Sequence, residues 1–372
     1  MAKHVADSLG GPVLIRGTGL LGTSIGLGLA KAGASVYLSD PSPSAQAVAV
    51  DIGAGKAWDE DLPAPSVVVV AAPPDVCAQE IAKALTSFPE AVVMDIASIK
   101  VSILEDLQRR VAAGELSAAD LCRYIGCHPM AGRERSGPVA ARGELFTSMP
   151  WVICRSADVQ ERAIDAAYEI AHTLGAAVSY MDTAEHDGSV ALISHLPQIA
   201  ASLVASRLQD TRPESLALAG NGLRDVTRIA ASDPSLWVQI LSGNAPRIVE
   251  ILYGVREDLN RLISTMENPT GPGARLDMAQ LMSEGNTGHA RIPGKHGAPP
   301  QAFTKVTVIV DDTPGQIAAL LADIGHIGVN VEDLRMEHSA GHQVGMVEIA
   351  VVPGVRDDLI DSLTDIGWKV VQ

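Results

Sequence analysis

Aromatic residues are scarce: four Trp, five Tyr and three Phe in 372 residues, or 3% of the chain. Aliphatic side chains must therefore fill the interior, and the few rings are expected at particular places rather than throughout a core. Positive charge is also in short supply. With 28 Lys and Arg against 44 Asp and Glu, the net charge is −16, which argues against a nucleic-acid binder or a polybasic membrane protein. An anionic ligand would need a locally positive site. Only four cysteines occur, Cys77, Cys122, Cys127 and Cys154, and none forms a CxxC pair. They make neither a disulfide framework nor a metal site and read as buried free thiols. The N-terminal MAKHVADSLGG lacks the apolar stretch of a signal segment. No uninterrupted run nears the roughly 18 apolar residues of a membrane helix. A cytoplasmic protein without membrane contact is expected.

What is present is ample material for cores: 47% hydrophobic and 19% charged residues. The length suggests two or three domains. Strands are expected at Val13–Arg16, Ser35–Ser39, Ser66–Val70, Ala91–Asp95 and Arg123–Cys127. Helices are expected at Leu20–Ala32, Asp75–Leu85 and Ile99–Ala113. Continuous apolar strands such as VVVV are buried on both faces, as in a parallel sheet covered by helices. A further strand–helix–strand unit extends this α/β, doubly wound, Rossmann-type domain over residues 1–181.

Residues 182–267 carry long helical patterns and almost no strand signal, with Asp233-Pro234 as a helix start. In residues 268–301, Gly and Pro fill 11 of 34 positions. This reads as a linker with one short helix near Leu276–Met282. Residues 302–372 follow the order βαββαβ, that of a small ferredoxin-like module.

Gly17-Thr18-Gly19-Leu20-Leu21-Gly22 follows a strand and opens a helix. In such a loop the first glycine permits the turn and the second admits a pyrophosphate. The third allows close helix–strand packing. Asp40 ends the next strand 18 positions after Gly22. Its carboxylate can bind both adenosine-ribose hydroxyls and repels a 2′-phosphate, which favours NAD over NADP. Ala72 and Pro73, after the VVVV strand, complete the expected cofactor set. Arg16, a charge at a normally apolar strand end, has no account from sequence.

Ser98, in Asp95-Ile96-Ala97-Ser98-Ile99-Lys100, and His128, in Gly126-Cys127-His128-Pro129-Met130-Ala131-Gly132, lie at strand carboxyl ends, where doubly wound sheets bind ligands. A neutral imidazole there can take a proton from a substrate hydroxyl as hydride leaves the same carbon, or it can be a satisfied structural group. Ser98 can orient the histidine, cap the following helix, or both. In the helical region, Asp187, Ala191, His195 and Gln198 share one helix face, as a core network or a pocket lining. Pro197 breaks the helix locally because it cannot donate to the Ile193 carbonyl. Asp225 and Arg228, three apart, form either a plain helix ion pair or an Arg held by Asp to clamp a carboxylate.

The ordered set GTGLLG, DIASIK, GCHPMAGRERSG, EHDGSVALISHLPQ and GLRDVTRIAASDPSLW resembles the prephenate/arogenate dehydrogenase family over about residues 11–267. The resemblance implies NAD-dependent oxidative decarboxylation of a cyclohexadienol in tyrosine biosynthesis. It implies that His128 binds the ring hydroxyl, that Ser98 assists, and that Arg228, supported by Asp225, holds a substrate carboxylate. It further implies that Glu134 gates the pocket and that Trp237 reaches the neighbouring subunit's site in a homodimer formed by the helical domains. Where many members carry SHLPH, this chain has Gln198 in place of the last histidine. That position faces the side chain where prephenate has a ketone and arogenate an ammonium, so the choice between them stays open.

The C-terminal module resembles an ACT domain through Asp312-Thr313-Pro314-Gly315 and Gly328-Val329-Asn330-Val331. This implies an effector, tyrosine, at a turn holding Gly315 and Asn330, or a pairing module without ligand. Two other readings compete. A β-hydroxyacid oxidoreductase lacks support because no candidate catalytic lysine falls on the Asp187–Gln198 stripe. An NAD-sensing regulator would not need a proton acceptor beside the nicotinamide.

Overall fold

In a computed structural model, residues 8–132, 137–293, 303–338 and 344–371 are described. They form two compact units, 1–257 and 258–372. The first unit is built on an eight-stranded sheet. Its strands are β1 (Val13–Arg16), β2 (Val36–Ser39), β3 (Lys56–Ala57), β4 (Val67–Val70), β5 (Val92–Asp95), β6 (Tyr124–Pro129), β7 (Pro150–Cys154) and β8 (Ala177–Met181), in the order β3-β2-β1-β4-β5-β6-β7-β8. Strands β1 to β6 are parallel to one another, β7 runs antiparallel to β6, and β8 is parallel to β7.

The valines of β4 are all buried, as expected of a strand covered on both faces. One face packs Ile25, Leu29, Phe146 and Trp151, and the other packs Ile81, Leu85, Ile103 and Leu107. Phe146 and Trp151 meet edge to face at 5.3 Å, so two of the rare rings do serve the core. Among the described residues all four cysteines are unpaired, and three of them are buried. Burial pushes the Cys154 thiol up to about 12, which keeps it inert.

Arg16 is explained by its neighbour. Its guanidinium reaches Glu80 Oε2 at 3.3 Å on the helix Pro74–Ser87, which anchors that helix to the end of β1.

The helical part of this unit begins with Thr183–Val190, passes through a π-helical turn, Ala191–His195, and continues as Leu196–Ser206. The wide turn precedes Pro197 and absorbs the break that the proline imposes. An 18-residue window of these 24 residues has a mean hydropathy of 1.4, so the helix is long and apolar enough to cross a membrane by length and composition alone. The stretch is not an uninterrupted apolar run, since Ser194, His195, Pro197 and Gln198 fall inside it. The helix nevertheless buries His186, Asp187, His195 and Gln198, and His186 and Asp187 are hydrogen-bonded to the α/β domain. The helix Pro234–Gly243 starts at Asp233, whose side chain accepts from the Ser235 nitrogen at 2.9 Å.

In the second unit, the helix Ala274–His289 is longer than the sequence suggests. It is tied by Glu284 to Arg261 at 2.9 Å. A separate sheet contains β9 (Thr304–Asp311), β10 (Asp333–His338), β11 (Val344–Val351) and β12 (Lys369–Val371), in the antiparallel order β10-β11-β9-β12. Helices Gln316–Ile327 and Arg356–Asp365 complete the chain order β-α-β-β-α-β around a core of Val308, Leu320, Val347 and Leu359.

Candidate active site

The glycine loop joins β1 to the helix Leu20–Lys31. Gly17 has φ +104°, and a Cβ there would lie 2.3 Å from the Ala71 carbonyl oxygen. A Cβ on Gly22 would lie 2.0 Å from the Gly17 oxygen, so both positions exclude a side chain. Gly19 differs: a Cβ there would meet nothing within 4 Å, and no side chain caps the helix that follows. Leu20 and Leu21 form its first turn, whose backbone N–H groups lack side-chain acceptors. An unfilled helix N-terminus suits a phosphate. Beside it, the Thr18 Oγ1 atom is buried without a partner, and a bound oxygen would satisfy it.

Asp40 follows β2. Its Oδ2 accepts from the Thr18 nitrogen at 2.6 Å and its Oδ1 from the Ser42 nitrogen at 2.8 Å. Each oxygen keeps a lone pair for a ribose hydroxyl. Ala72 and Pro73 lie at the carboxyl end of β4, next to Ala71, which abuts Gly17. These residues fit a dinucleotide.

His128 falls inside β6, one residue before its end. His128 Nδ1 lies 2.8 Å from His186 Nε2, and His186 Nδ1 lies 2.8 Å from Asp187 Oδ1. Asp187 also accepts from the Lys100 nitrogen at 2.9 Å and the Val101 nitrogen at 2.8 Å, so three donors converge on its carboxylate. The proton positions follow from that acceptor. His186 must carry its proton on Nδ1, so its Nε2 accepts, and His128 must donate from Nδ1. The lone pair of His128 is thereby placed on Nε2. Burial, then His186, Lys100 and His195, hold His128 well below the ordinary histidine range. It is a neutral base.

Lys100 is itself fully buried. Its ammonium pairs with Asp95 Oδ1, while Asp95 Oδ2 accepts from the Tyr124 hydroxyl at 2.8 Å. Burial disfavours the Lys100 charge, but Asp95 outweighs it and the lysine is held above its usual value. This buried positive charge acts on His128.

The helix stripe is buried as a face: Asp187, Ala191, His195 and Gln198 all point inward. Asn244 Nδ2 donates to the Asp187 carbonyl at 2.8 Å and lies 3.2 Å from His195 Nδ1. His195 therefore carries its proton on Nε2, the reverse of His128. Burial pushes His195 down to about 4. Gln198 contacts Ser202 at 3.5 Å and Ser232 at 3.4 Å. Trp237 stands edge-on to His195 at 6.0 Å, and it packs on the core of its own chain.

Some expected roles differ. Ser98 is half-buried, has no hydrogen-bond partner among the described residues, and does not cap the next helix. That helix starts at Val101, three residues later, and Asp187 serves its first N–H groups instead. Asp225 and Arg228 are both exposed and form no ion pair among the described residues. The α-helix ends at Thr227 and Arg228 opens a 3₁₀ turn, so the i,i+3 helical spacing does not carry across. Glu134 lies outside the described residues. In the second unit, Gly315 (φ +92°) opens the helix Gln316–Ile327, and Asn330 Nδ2 donates to Glu332 Oε1 at 2.7 Å.

The sequence pattern alone does not mark Lys100, Asp95, Tyr124 or Asn244 as part of this site. A signal did exist for His186, which directly precedes Asp187.

The chain matches the family model described as prephenate dehydrogenase, nucleotide-binding domain, over residues 25–180. It also matches that of the prephenate dehydrogenase dimerization domain over residues 182–283. It is 33% identical to the probable prephenate dehydrogenase NovF of Streptomyces niveus over 95% of this chain and 98% of that one. It is 24% identical to the prephenate dehydrogenase of Bacillus subtilis over 91% of each. The fold is similar to that of prephenate dehydrogenase from A. aeolicus, solved in complex with hydroxyphenyl propionate and NAD+. The TM-score is 0.65 at 26% identity, covering 76% of this chain and 98% of that one. Synechocystis arogenate dehydrogenase shares the fold with a TM-score of 0.60 at 24% identity, covering 74% and 99%.

Proposed function

The chain belongs to the prephenate dehydrogenase family, and from that premise we propose that it converts prephenate to 4-hydroxyphenylpyruvate. The observation that carries the reading is the His128 lone pair, oriented by His186 and Asp187 at the carboxyl end of a strand in the glycine-loop sheet. Residues 17–22 and Asp40 would hold NAD, which would supply the hydride acceptor. His128 Nε2 takes the proton of the ring hydroxyl as that carbon loses hydride. The electrons released when carbon dioxide leaves then aromatise the ring, and the phenolate oxygen takes the proton back. Positioning supplies most of the acceleration, and the base adds about 10²–10⁴-fold.

In this reading Arg228 meets a substrate carboxylate, which its exposed guanidinium, without an ion pair among the described residues, supports. Ser98 contributes its hydroxyl, which has no hydrogen-bond partner among the described residues, and Glu134 orders the pocket. Gln198 meets the substrate side chain. Its neutral serine partners suit a ketone, which favours prephenate over arogenate. NADH formation by purified protein with each substrate in turn tests this, and activity with arogenate alone would transfer the reading to arogenate dehydrogenase.

Pairing of two chains through the helical region is supported by exposed Leu192, Ile193, Leu203, Val238 and Tyr253. For the C-terminal sheet we adopt the ACT-like reading with tyrosine as effector, supported by its βαββαβ order and the open surroundings of Gly315. Calorimetry with tyrosine tests it: no binding heat and unchanged activity at millimolar tyrosine would leave a module without this ligand.

A further inference from the structure

We propose that His186 relays the proton taken up by His128, so that the positive charge formed during hydride loss rests on the His186–Asp187 pair. The inference depends on the dehydrogenase reading above and assigns a role to a residue that touches the substrate only through His128.

The two rings meet edge to face at 71°, with their facing nitrogens 2.8 Å apart, and His186 is fully buried. A side chain that merely filled space would not need two hydrogen bonds in series. The order of acceptors also sets a direction. The Asp187 side chain accepts from the first backbone N–H groups of the helix Val101–Ala112, where the helix dipole favours negative charge. A cation is therefore stabilised next to Asp187. Beside His128 it is opposed, because that ring is buried and faces the Lys100 ammonium and His195.

The relay balances. The substrate hydroxyl proton bonds to His128 Nε2, and the proton on His128 Nδ1 moves to His186 Nε2. His186 keeps its Nδ1 proton toward Asp187, which stays ionised. His128 ends neutral with its proton on Nε2, and His186 ends as an imidazolium. When carbon dioxide has left, the phenolate oxygen recovers the proton from His128 Nε2, and His186 returns its own to His128 Nδ1. No net proton is gained or lost.

The test separates relaying from orienting. In His186→Gln, an amide oxygen can still accept from His128 Nδ1 but cannot take a proton. The relay requires kcat to fall about 10²-fold or more, with KM for prephenate and NAD affinity by fluorescence titration within twofold. A kcat within threefold of wild type would overturn it. Should that variant fold poorly, the wild type still decides. Hydride transfer followed in a single turnover across H₂O–D₂O mixtures should give a bowed dependence, from two protons in motion. A straight line would count against the relay. Nitrogen-15 spectra of the resting protein should show His128 protonated on Nδ1, and the opposite tautomer would overturn the proposal without any turnover. A wild type silent with both prephenate and arogenate would remove the dehydrogenase reading instead, and the spectra would still judge the His128–His186 bond.

Discussion

The carboxylate of Asp187 lies 2.9 Å from the backbone nitrogen of Lys100, 87 residues away in sequence. Through this bond a side chain of the helical region caps a helix of the α/β domain, whose own preceding residues supply no cap. The same oxygen accepts from His186. One carboxylate therefore fixes both a domain contact and the proton positions of His186 and His128.

Asp187→Asn should break both functions. An amide nitrogen turned toward a backbone N–H or an imidazole N–H cannot accept from it. Hydrogen bonds to a charged acceptor contribute about 1.5–3 kcal/mol each, so a loss of about 2–4 kcal/mol in urea denaturation is expected, with a concurrent fall in kcat. Unaltered stability would show that the helix end is satisfied by water.

His128→Asn should retain NAD binding and lose turnover by about 10²–10⁴-fold, because the lone pair at Nε2 disappears while the glycine loop and Asp40 are untouched. Cofactor titration by fluorescence alongside NADH formation checks both halves. Near-normal turnover would remove His128 from the chemistry.

Arg228→Gln should raise KM for prephenate by about 10-fold to 10²-fold, as expected from losing a charge-assisted bond of about 1.5–3 kcal/mol, with a smaller change in kcat. Since Arg228 is exposed and makes no ion pair among the described residues, thermal stability should hardly move. An unchanged KM would place the substrate carboxylate elsewhere.

The sheet and the cofactor loop were legible because their signals are local: VVVV is buried on both faces, and GTGLLG sits between a strand and a helix. The inward stripe from Asp187 to Gln198 was legible for the same reason, through helical spacing. What spacing could not show is a bond across domains. Ser98 looked like a cap because it precedes a helical pattern, yet the cap comes from Asp187. Helical spacing does not reveal His186, because it is off the stripe by one position and bonds to His128 of β6. Asp225 and Arg228 looked paired only while the α-helix was assumed to continue past Thr227. The buried Lys100 ammonium gave no periodic signal, since its partner Asp95 lies at the end of a strand.

Lys100→Met should destabilise the protein by about 3–5 kcal/mol, the usual result of leaving one member of a buried ion pair alone. Asp95 would keep the Tyr124 hydroxyl and the Ala97 nitrogen at 2.8 Å each, but its charge would be uncompensated. Adding Asp95→Asn to Lys100→Met should recover part of the loss, because the remaining buried groups are then neutral. Equal stability of the single and double variants in urea would argue against a charged pair.

The depressed histidines give the last prediction its sign. In the unfolded chain a histidine titrates near 6.5, whereas in the folded protein His195 titrates at about 4 and His128 also lies well below 6.5. Between those values the unfolded state binds more protons, so lowering the pH favours unfolding. The stabilisation from the neutral rings is complete above about pH 6.5 and is lost progressively as the pH falls toward 4, at up to about 1.4 kcal/mol per unit for each group. The urea midpoint should therefore drop between pH 7 and pH 4.5, and His195→Gln should drop less over the same interval. For catalysis the direction is the same: His128 faces His186, Lys100 and His195, so kcat/KM should hold its plateau through pH 6.5 and decline only in more acidic buffer. An acid limb centred at or above 6.5 would mean that the group being titrated is not this histidine.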